Sequence, residues 1–286
     1  VSEHFDREWL GLREPVDHAA RPASLADALA EWVVRVRGAN EAPLRVLDLG
    51  AGSGSNLRWL APRLPDPQLW TLVDHDASLL DAARRDAGGE RVEHLRVEDF
   101  AAAPPALPGA APAPLLVTGA ALLDLVSARW LDALVAACAA RGAAVLFALS
   151  YDGRIEWSQP DPEDAALLAA VNRHQGTDKG FGPALGPGAA MHLERALERH
   201  GYRVEAAASP WELDAARPAL VRALIDGWAE AAAAMEPTRA GDFRAWAGRR
   251  RAAVIGDGCR LRVGHRDVLG LPPAPGRGSG SGVAAG

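Results

Sequence analysis

Two cysteines in 286 residues are too few for a disulfide framework. Cys138 and Cys259 lie in apolar stretches without metal-ligand spacing, so both read as reduced core residues of a cytoplasmic protein. No run approaches about 18 uninterrupted apolar residues, so no membrane span and no membrane partner are expected. Val1 to Asp6 show neither a basic region nor an apolar run, so no secretory signal is expected. Positive charge is not in excess: 31 basic against 37 acidic side chains give a formal net charge of −6. That argues against a broad nucleic-acid footprint. Arg249-Arg250-Arg251 is a local basic cluster and reads as a solvated helix face. No internal repeat is visible, and no His, Cys or carboxylate cluster has metal spacing, so no metal is expected.

What is present is a chain with 49% hydrophobic residues, long enough for one large domain or two small ones. Residues 1–40 have a helical pattern, with Leu25, Leu29, Trp32, Val33 and Val36 at three- and four-residue spacing. Strands are predicted over about 44–49, 69–73, 92–97, 115–118 and 143–149, and helices over about 55–63, 77–86 and 130–140. Residues 101–114 are alanine and proline and read as loop. Alternating strands and helices with apolar strand runs indicate an α/β fold with a largely parallel sheet. The alternation breaks at residues 150–190, a polar, glycine-rich insertion with a short helix near 163–173. A helix (about 189–200), a strand (about 202–208), a helical insertion (214–255) and a last strand (about 260–269) follow. The tail, 271–286, is proline, glycine and serine and is expected to be disordered, leaving 1–270 as a single domain.

The most informative stretch is Leu47-Asp48-Leu49-Gly50-Ala51-Gly52-Ser53-Gly54. An apolar strand ends beside an acid, three glycines alternate, and a helix begins. Such a turn brings backbone close to a ligand. The dinucleotide pattern Gly-x-Gly-x-x-Gly fails, because its third glycine falls on Ser55 or Leu57. A phosphate-binding loop would need a lysine at the turn, and there is none. Asp48 would repel a phosphate and suits a ligand carrying an ammonium group. Asp74 ends the second strand, where an acid can accept from both ribose hydroxyls. Asp99 ends the third and precedes Phe100, a pairing that suits an exocyclic amine and the face of a base. Amine, ribose and adenine without phosphates is the ligand these three acids describe.

Leu47–Gly54, Val73-Asp74 and Glu98-Asp99-Phe100 together resemble the binding motifs of class I S-adenosylmethionine-dependent methyltransferases. The resemblance implies a Rossmann-like three-layer sandwich with a seven-stranded, mostly parallel sheet and one antiparallel strand near the C-terminus. It implies S-adenosyl-L-methionine as cofactor. Asp48, Gly50, Ala51, Gly52 and Gly54 would hold the methionine portion, Asp74 the ribose, His75 the adenine flank, and Asp99 and Phe100 the adenine amine and face. Thr118 and Gly119 would lie beside the methionine amine and the methyl group, with Arg21 or Arg13 reaching the methionine carboxylate. Thr118-Gly119-Ala120-Ala121 stands where base-amino methyltransferases carry Asn-Pro-Pro-aromatic, which lowers the odds of that activity.

Methyl transfer needs a base only if the acceptor must lose a proton. His174 is the preferred candidate, with Tyr151 and Asp178 as further catalytic candidates. Lys179 would bind a substrate carboxylate, and Trp157 and Trp211 would wall the pocket. The expected activity is methylation of a small-molecule oxygen or nitrogen acceptor. A non-catalytic S-adenosylmethionine-binding protein, a methyltransferase acting on RNA or protein, and a nicotinamide-dependent oxidoreductase are the alternatives.

Overall fold

A computed structural model describes residues 7–38, 42–86, 91–108, 113–256 and 258–273. Val1 to Asp6, part of the 101–114 loop and nearly all of the tail thus lie outside the described residues. The N-terminal segment forms two helices, Arg7–Ala20 (α1) and Ala23–Arg37 (α2). Leu25, Leu29, Trp32 and Val33 are the buried stripe of α2, at the spacing of one helix face. Then come Leu44–Leu49 (β1), Ser55–Leu60 (α3), Gln68–Asp74 (β2), Ala77–Asp86 (α4), Val92–Val97 (β3) and Leu115–Ala120 (β4). Ala128–Arg141 (α5) is started by the Ser127 side chain, which accepts from the Trp130 N–H, and stopped by left-handed Gly142.

Ala144–Trp157 (β5) is followed by Asp164–Gln175 (α6), Ala189–Arg199 (α7), Arg203–Ala208 (β6) and Trp211–Leu213 (β7). Pro218–Met235 (α8), Ala240–Gly256 (α9) and Leu261–Leu271 (β8) complete the chain. The sheet runs β3-β2-β1-β4-β5-β8-β6, with β7 also paired to β8. β1 to β5 are mutually parallel, and β8 runs antiparallel to β5, β6 and β7. This is the Rossmann-like α/β architecture expected, with a single antiparallel strand. The expected seven strands become eight because the line of β6 breaks at Ser209-Pro210 and resumes as β7.

Three buried clusters hold the layers together. One face of the sheet packs Trp130, Leu134, Leu193 and Leu197 from α5 and α7. The other packs Leu29, Trp32, Leu60 and Leu80 from α2, α3 and α4. The third joins α1, α6, α8 and α9 to the far end of β5 and to β7 and β8, through Leu167, Trp211, Ile225, Phe243 and Trp246. β5 explains that third cluster. It continues eight residues past its expected end at 149, through two irregularities in its pairing with β8. Tyr151 and Asp152 are therefore strand residues, and the polar insertion begins only after Trp157.

Candidate active site

A cavity of about 370 Å³ opens beyond the carboxyl ends of the parallel strands. Ligands of open α/β sheets bind there, where adjacent connections leave in opposite directions. The glycine turn is its floor. Gly50, Gly52 and Gly54 have φ of 64°, 51° and 86°, a region closed to most side chains. The turn is pinned by the Ala51 N–H donating to the Val73 carbonyl (3.1 Å) and the Gly54 N–H donating to the Ala51 carbonyl (2.9 Å). α1 lies across the turn. Leu10 stands 3.4 Å from where a Gly52 Cβ would sit. His18 Nε2 is 3.1 Å from the Ser55 carbonyl oxygen, and Glu14 accepts from Arg58 Nε and Nη2 at 2.6 and 2.7 Å.

Asp74 forms one wall. Its Oδ2 accepts from the Gly52 N–H at 2.8 Å, and its Oδ1 accepts from the Asp76 N–H at 3.0 Å, with His75 Nδ1 at 3.3 Å. Asp99 is exposed at the rim, its Oδ1 accepting from the Ala101 N–H at 3.0 Å. Phe100 turns inward, its ring centroid 6.0 Å from Trp130 and 5.9 Å from Phe181.

Beneath the floor runs a buried polar chain. Asn56 Nδ2 donates to Asp48 Oδ1 (2.7 Å) and to Thr118 Oγ1 (3.1 Å), and Asn56 Oδ1 accepts from Arg21 Nη1 (2.8 Å). Thr118 Oγ1 donates in turn to the Leu146 carbonyl at 2.7 Å. The Arg21 guanidinium lies 3.9 Å over the Trp59 ring and 3.9 Å from Asp267. Asp267 accepts from the Leu149 N–H and from the Ser209 hydroxyl. Burial pushes the Asp48 carboxyl up to about 7, against the opposing pull of Asn56 and Arg21. Burial also draws Arg21 down to about 10, offset in part by Asp267 and Asp48.

Of the residues expected to hold a cofactor, Gly50, Ala51, Gly52, Asp74, His75, Asp99 and Phe100 line the cavity, as does Lys179. Five others do not. Asp48 is fully buried behind Asn56, so it orients that amide rather than reaching a ligand. Arg21 is buried in the same chain, and Arg13 takes the place at the cavity wall. Gly54 faces α4: a Cβ there would stand 2.9 Å from that of Ala83. Thr118 is spent between β5 and Asn56. Gly119 answers to packing, since a Cβ would fall 2.8 Å from the Leu49 carbonyl and 2.9 Å from the Phe147 ring.

The catalytic candidates are also placed differently from expectation. His174 lies outside the cavity lining, and its Nδ1 stands 3.4 Å from Lys179 Nζ. Tyr151 is buried in β5, its hydroxyl donating to Asn172 Oδ1 at 2.9 Å, and burial pushes its phenol up. Asp178 is exposed, and its Oδ1 accepts from the Gly180 and Gly182 N–H groups at 2.7 and 3.0 Å, which shapes a turn. Trp157 does not wall the pocket. It packs edge-on against Trp228 and Trp246, with the Arg250 guanidinium 4.4 Å above it. Trp211 is one layer behind the wall: its Nε1 donates to Asp17 Oδ1 (3.0 Å) and Arg13 lies 5.2 Å over its ring.

Several cavity residues escaped the sequence reading. Leu10, Asp17, Asn56, Leu122 and Phe181 line it. Asn56 stood two residues past the last glycine, at a helix start where an amide is common. Asp17 had a findable signal, its four-residue spacing from Arg13, which gives the helical pair Arg13 Nε to Asp17 Oδ2 at 2.9 Å.

No protein-family model and no curated protein sequence matches the chain. Solved structures are similar to it over most of its length. The YcgJ protein from Bacillus subtilis is 14% identical, with a TM-score of 0.48, over 85% of this chain and 98% of that one. Two S-adenosylmethionine-dependent methyltransferases in complex with S-adenosyl-L-homocysteine are also similar. The one from Geobacter sulfurreducens is 17% identical, with a TM-score of 0.41, over 89% of this chain and 92% of that one. The one from Thiobacillus denitrificans is 18% identical, with a TM-score of 0.43, over 93% of this chain and 98% of that one.

Proposed function

We propose that the protein transfers a methyl group from S-adenosyl-L-methionine to a small-molecule oxygen or nitrogen acceptor. The observation that carries this reading is the Asp74 carboxylate, held at the cavity wall by the Gly52 N–H of the glycine turn. A carboxylate in that position accepts from ribose hydroxyls and repels phosphate. The residues present fit such a ligand. The turn's left-handed glycines leave room for a close approach, and Asp99 and Phe100 supply an acceptor and a ring face for an amino-purine. Arg13, on α1 and paired with Asp17, and Lys179 are the cations of the wall that could meet the amino-acid carboxylate.

The bound cofactor supplies an electrophilic methyl group on a sulfonium centre. The protein's own contribution is placement. Asn56 is fixed from below by Asp48, Thr118 and Arg21, and Asp74 fixes the turn from the side. α1 lies across the turn, with Leu10 against Gly52. Holding two reactants in near-attack geometry accounts for a large share of such a rate enhancement.

A small acceptor is favoured over nucleic acid by the basic cluster itself. Arg249 is held by Asp161, Arg250 by Asp164 and Arg251 by Asp226, so none offers an uncompensated charge. No helix among the described residues is long and apolar enough to cross a membrane. Incubation of the protein with methyl-labelled cofactor and a bacterial metabolite extract should yield a newly labelled small molecule. Binding of S-adenosyl-L-homocysteine without any labelled product, over a full range of extracts, would contradict the catalytic reading.

A further inference from the structure

Three residues of α1, Leu10, Arg13 and Asp17, line the cavity at three- and four-residue spacing, the period of one helix face. Arg13 keeps donors to spare. Its Nε donates to Asp17 Oδ2 at 2.9 Å and its Nη2 to Asp17 Oδ1 at 3.3 Å. Those two bonds use the side-on edge of the guanidinium. Among the described residues the end-on edge, both Nη1 hydrogens and the second on Nη2, has no hydrogen-bond partner. The side chain is 12% exposed, at the cavity wall. A planar pair of donors of that kind matches a carboxylate oxygen for oxygen.

An arginine paired with a carboxylate four residues along a helix is ordinarily held loosely. Here β7 adds a second anchor. Trp211 Nε1 donates to Asp17 Oδ1 at 3.0 Å, and the Arg13 guanidinium carbon lies 5.2 Å over the Trp211 ring. Trp211 is buried, paired with Val263 of β8, and backed by the His265 ring at 4.7 Å. Burial, with Arg13 as the second cause, draws His265 down to about 3, so this imidazole is neutral and adds no positive charge. Asp17 receives three N–H groups, which disperse its negative charge. Helix and sheet thus fix one guanidinium between them. The rotamer freedom of a long side chain is given up before any ligand arrives.

Building on the methyl-transfer reading, we infer that Asp17 and Trp211 are positioning residues that hold the Arg13 fork for the carboxylate at the amino-acid end of the cofactor. On that reading the amino-acid end lies at the glycine turn, and α1 brings Arg13 to it. Leu10, three residues before Arg13 on the same helix face, stands 3.4 Å from where a Gly52 Cβ would sit. Glu14 and His18 tie the adjoining face of α1 to Arg58 and Ser55 of α3. The same assignment gives β7 a task. Its first residue, Trp211, is where the sheet meets Asp17 and Arg13. Neither positioning residue touches the cofactor; their effect is on how selectively its carboxylate is held.

Two ligands test the assignment: S-adenosyl-L-homocysteine and its decarboxylated analogue, identical except that an aminopropyl chain replaces the amino acid. Isothermal titration gives the ratio of their affinities. The wild type should favour the carboxylate-bearing ligand roughly tenfold or more, as expected for a charge-assisted contact. Arg13→Gln should bring the ratio to within about threefold of one. Asp17→Asn and Trp211→Phe leave Arg13 in place. Each should reduce the ratio roughly threefold or more, while affinity for the decarboxylated analogue stays within about twofold. A merely structural role would weaken both ligands alike and leave the ratio unchanged. Near-ultraviolet circular dichroism checks that each variant is folded, and Trp211→Phe keeps a ring in the core should Asp17→Asn not fold. A wild-type ratio in both Asp17→Asn and Trp211→Phe would overturn the positioning assignment. A ratio unchanged in Arg13→Gln, or near one in the wild type, would overturn the carboxylate assignment while methyl transfer stands. A wild type that binds neither ligand would end the methyl-transfer reading, and this assignment with it.

Discussion

Replacing Asp48 with asparagine should make folding stability less sensitive to pH. The Asp48 carboxyl is fully buried, with Asn56 on Oδ1 and, among the described residues, no hydrogen-bond partner on Oδ2. Burial lifts its pKa from an ordinary 3.8 to about 7. An acid whose folded pKa lies above its unfolded value holds its proton more tightly in the folded protein. Its contribution to stability is complete below about pH 3.8 and is lost as the pH rises through about 7. At about 1.36 kcal/mol per pKa unit, the wild type loses roughly 2–3 kcal/mol through this group between about pH 5 and about pH 8. Asparagine keeps an oxygen for Asn56 and does not titrate. The stability of Asp48→Asn relative to wild type should therefore rise by roughly 2–3 kcal/mol over that interval. Asp267, which burial also raises, is present in both proteins and cancels from the difference. Urea unfolding followed by tryptophan fluorescence at both pH values measures it. A difference that stays flat within about 0.5 kcal/mol would refute the desolvation argument.

Gly54→Ala should cost about 1–3 kcal/mol in chemical denaturation, because its φ is 86° and the new Cβ would meet that of Ala83 at 2.9 Å. Arg250→Met should cost about 1–3 kcal/mol, since it removes the cation that pairs with Asp164 and packs on Trp157, yet leave binding at the glycine turn unchanged by calorimetry. Tyr151→Phe removes one hydrogen bond to Asn172 and should lower stability by about 0.5–1.5 kcal/mol. Methyl transfer by that variant should persist, and its loss with the fold intact would restore a catalytic role to the phenol.

The sheet was legible because its strands are short apolar runs bounded by acids and glycines, a local signal that survives without tertiary information. A mostly parallel sheet with one antiparallel strand near the C-terminus followed from the resemblance; the order β3-β2-β1-β4-β5 is set by pairing between distant strands. β7 and the long end of β5 were not legible. Tyr151-Asp152-Gly153-Arg154 has turn composition, and only pairing with β8 draws it into a strand. The glycine-turn end of the cavity was legible for the same reason as the sheet: Gly50, Gly52, Asp74 and Phe100 sit at strand ends, which the chain itself announces. Burial was not. Asp48 and Arg21 look like ligand-facing charges in one dimension and are sealed into a network with Asn56 and Asp267 in three. Trp157 and Trp211 looked like pocket walls, but α8 and α9 take the first and Asp17 the second.

Isothermal titration of the wild type and Asp74→Ala with S-adenosyl-L-homocysteine, and of the wild type with NAD, bears most directly on the central claim. The wild type should bind S-adenosyl-L-homocysteine saturably at one site and give no heat with NAD. Asp74→Ala should bind roughly thirtyfold more weakly or worse, as expected for losing two hydrogen bonds to a charged acceptor. A wild type that ignores S-adenosyl-L-homocysteine, or an Asp74→Ala variant that binds it as tightly as the wild type, would contradict the account.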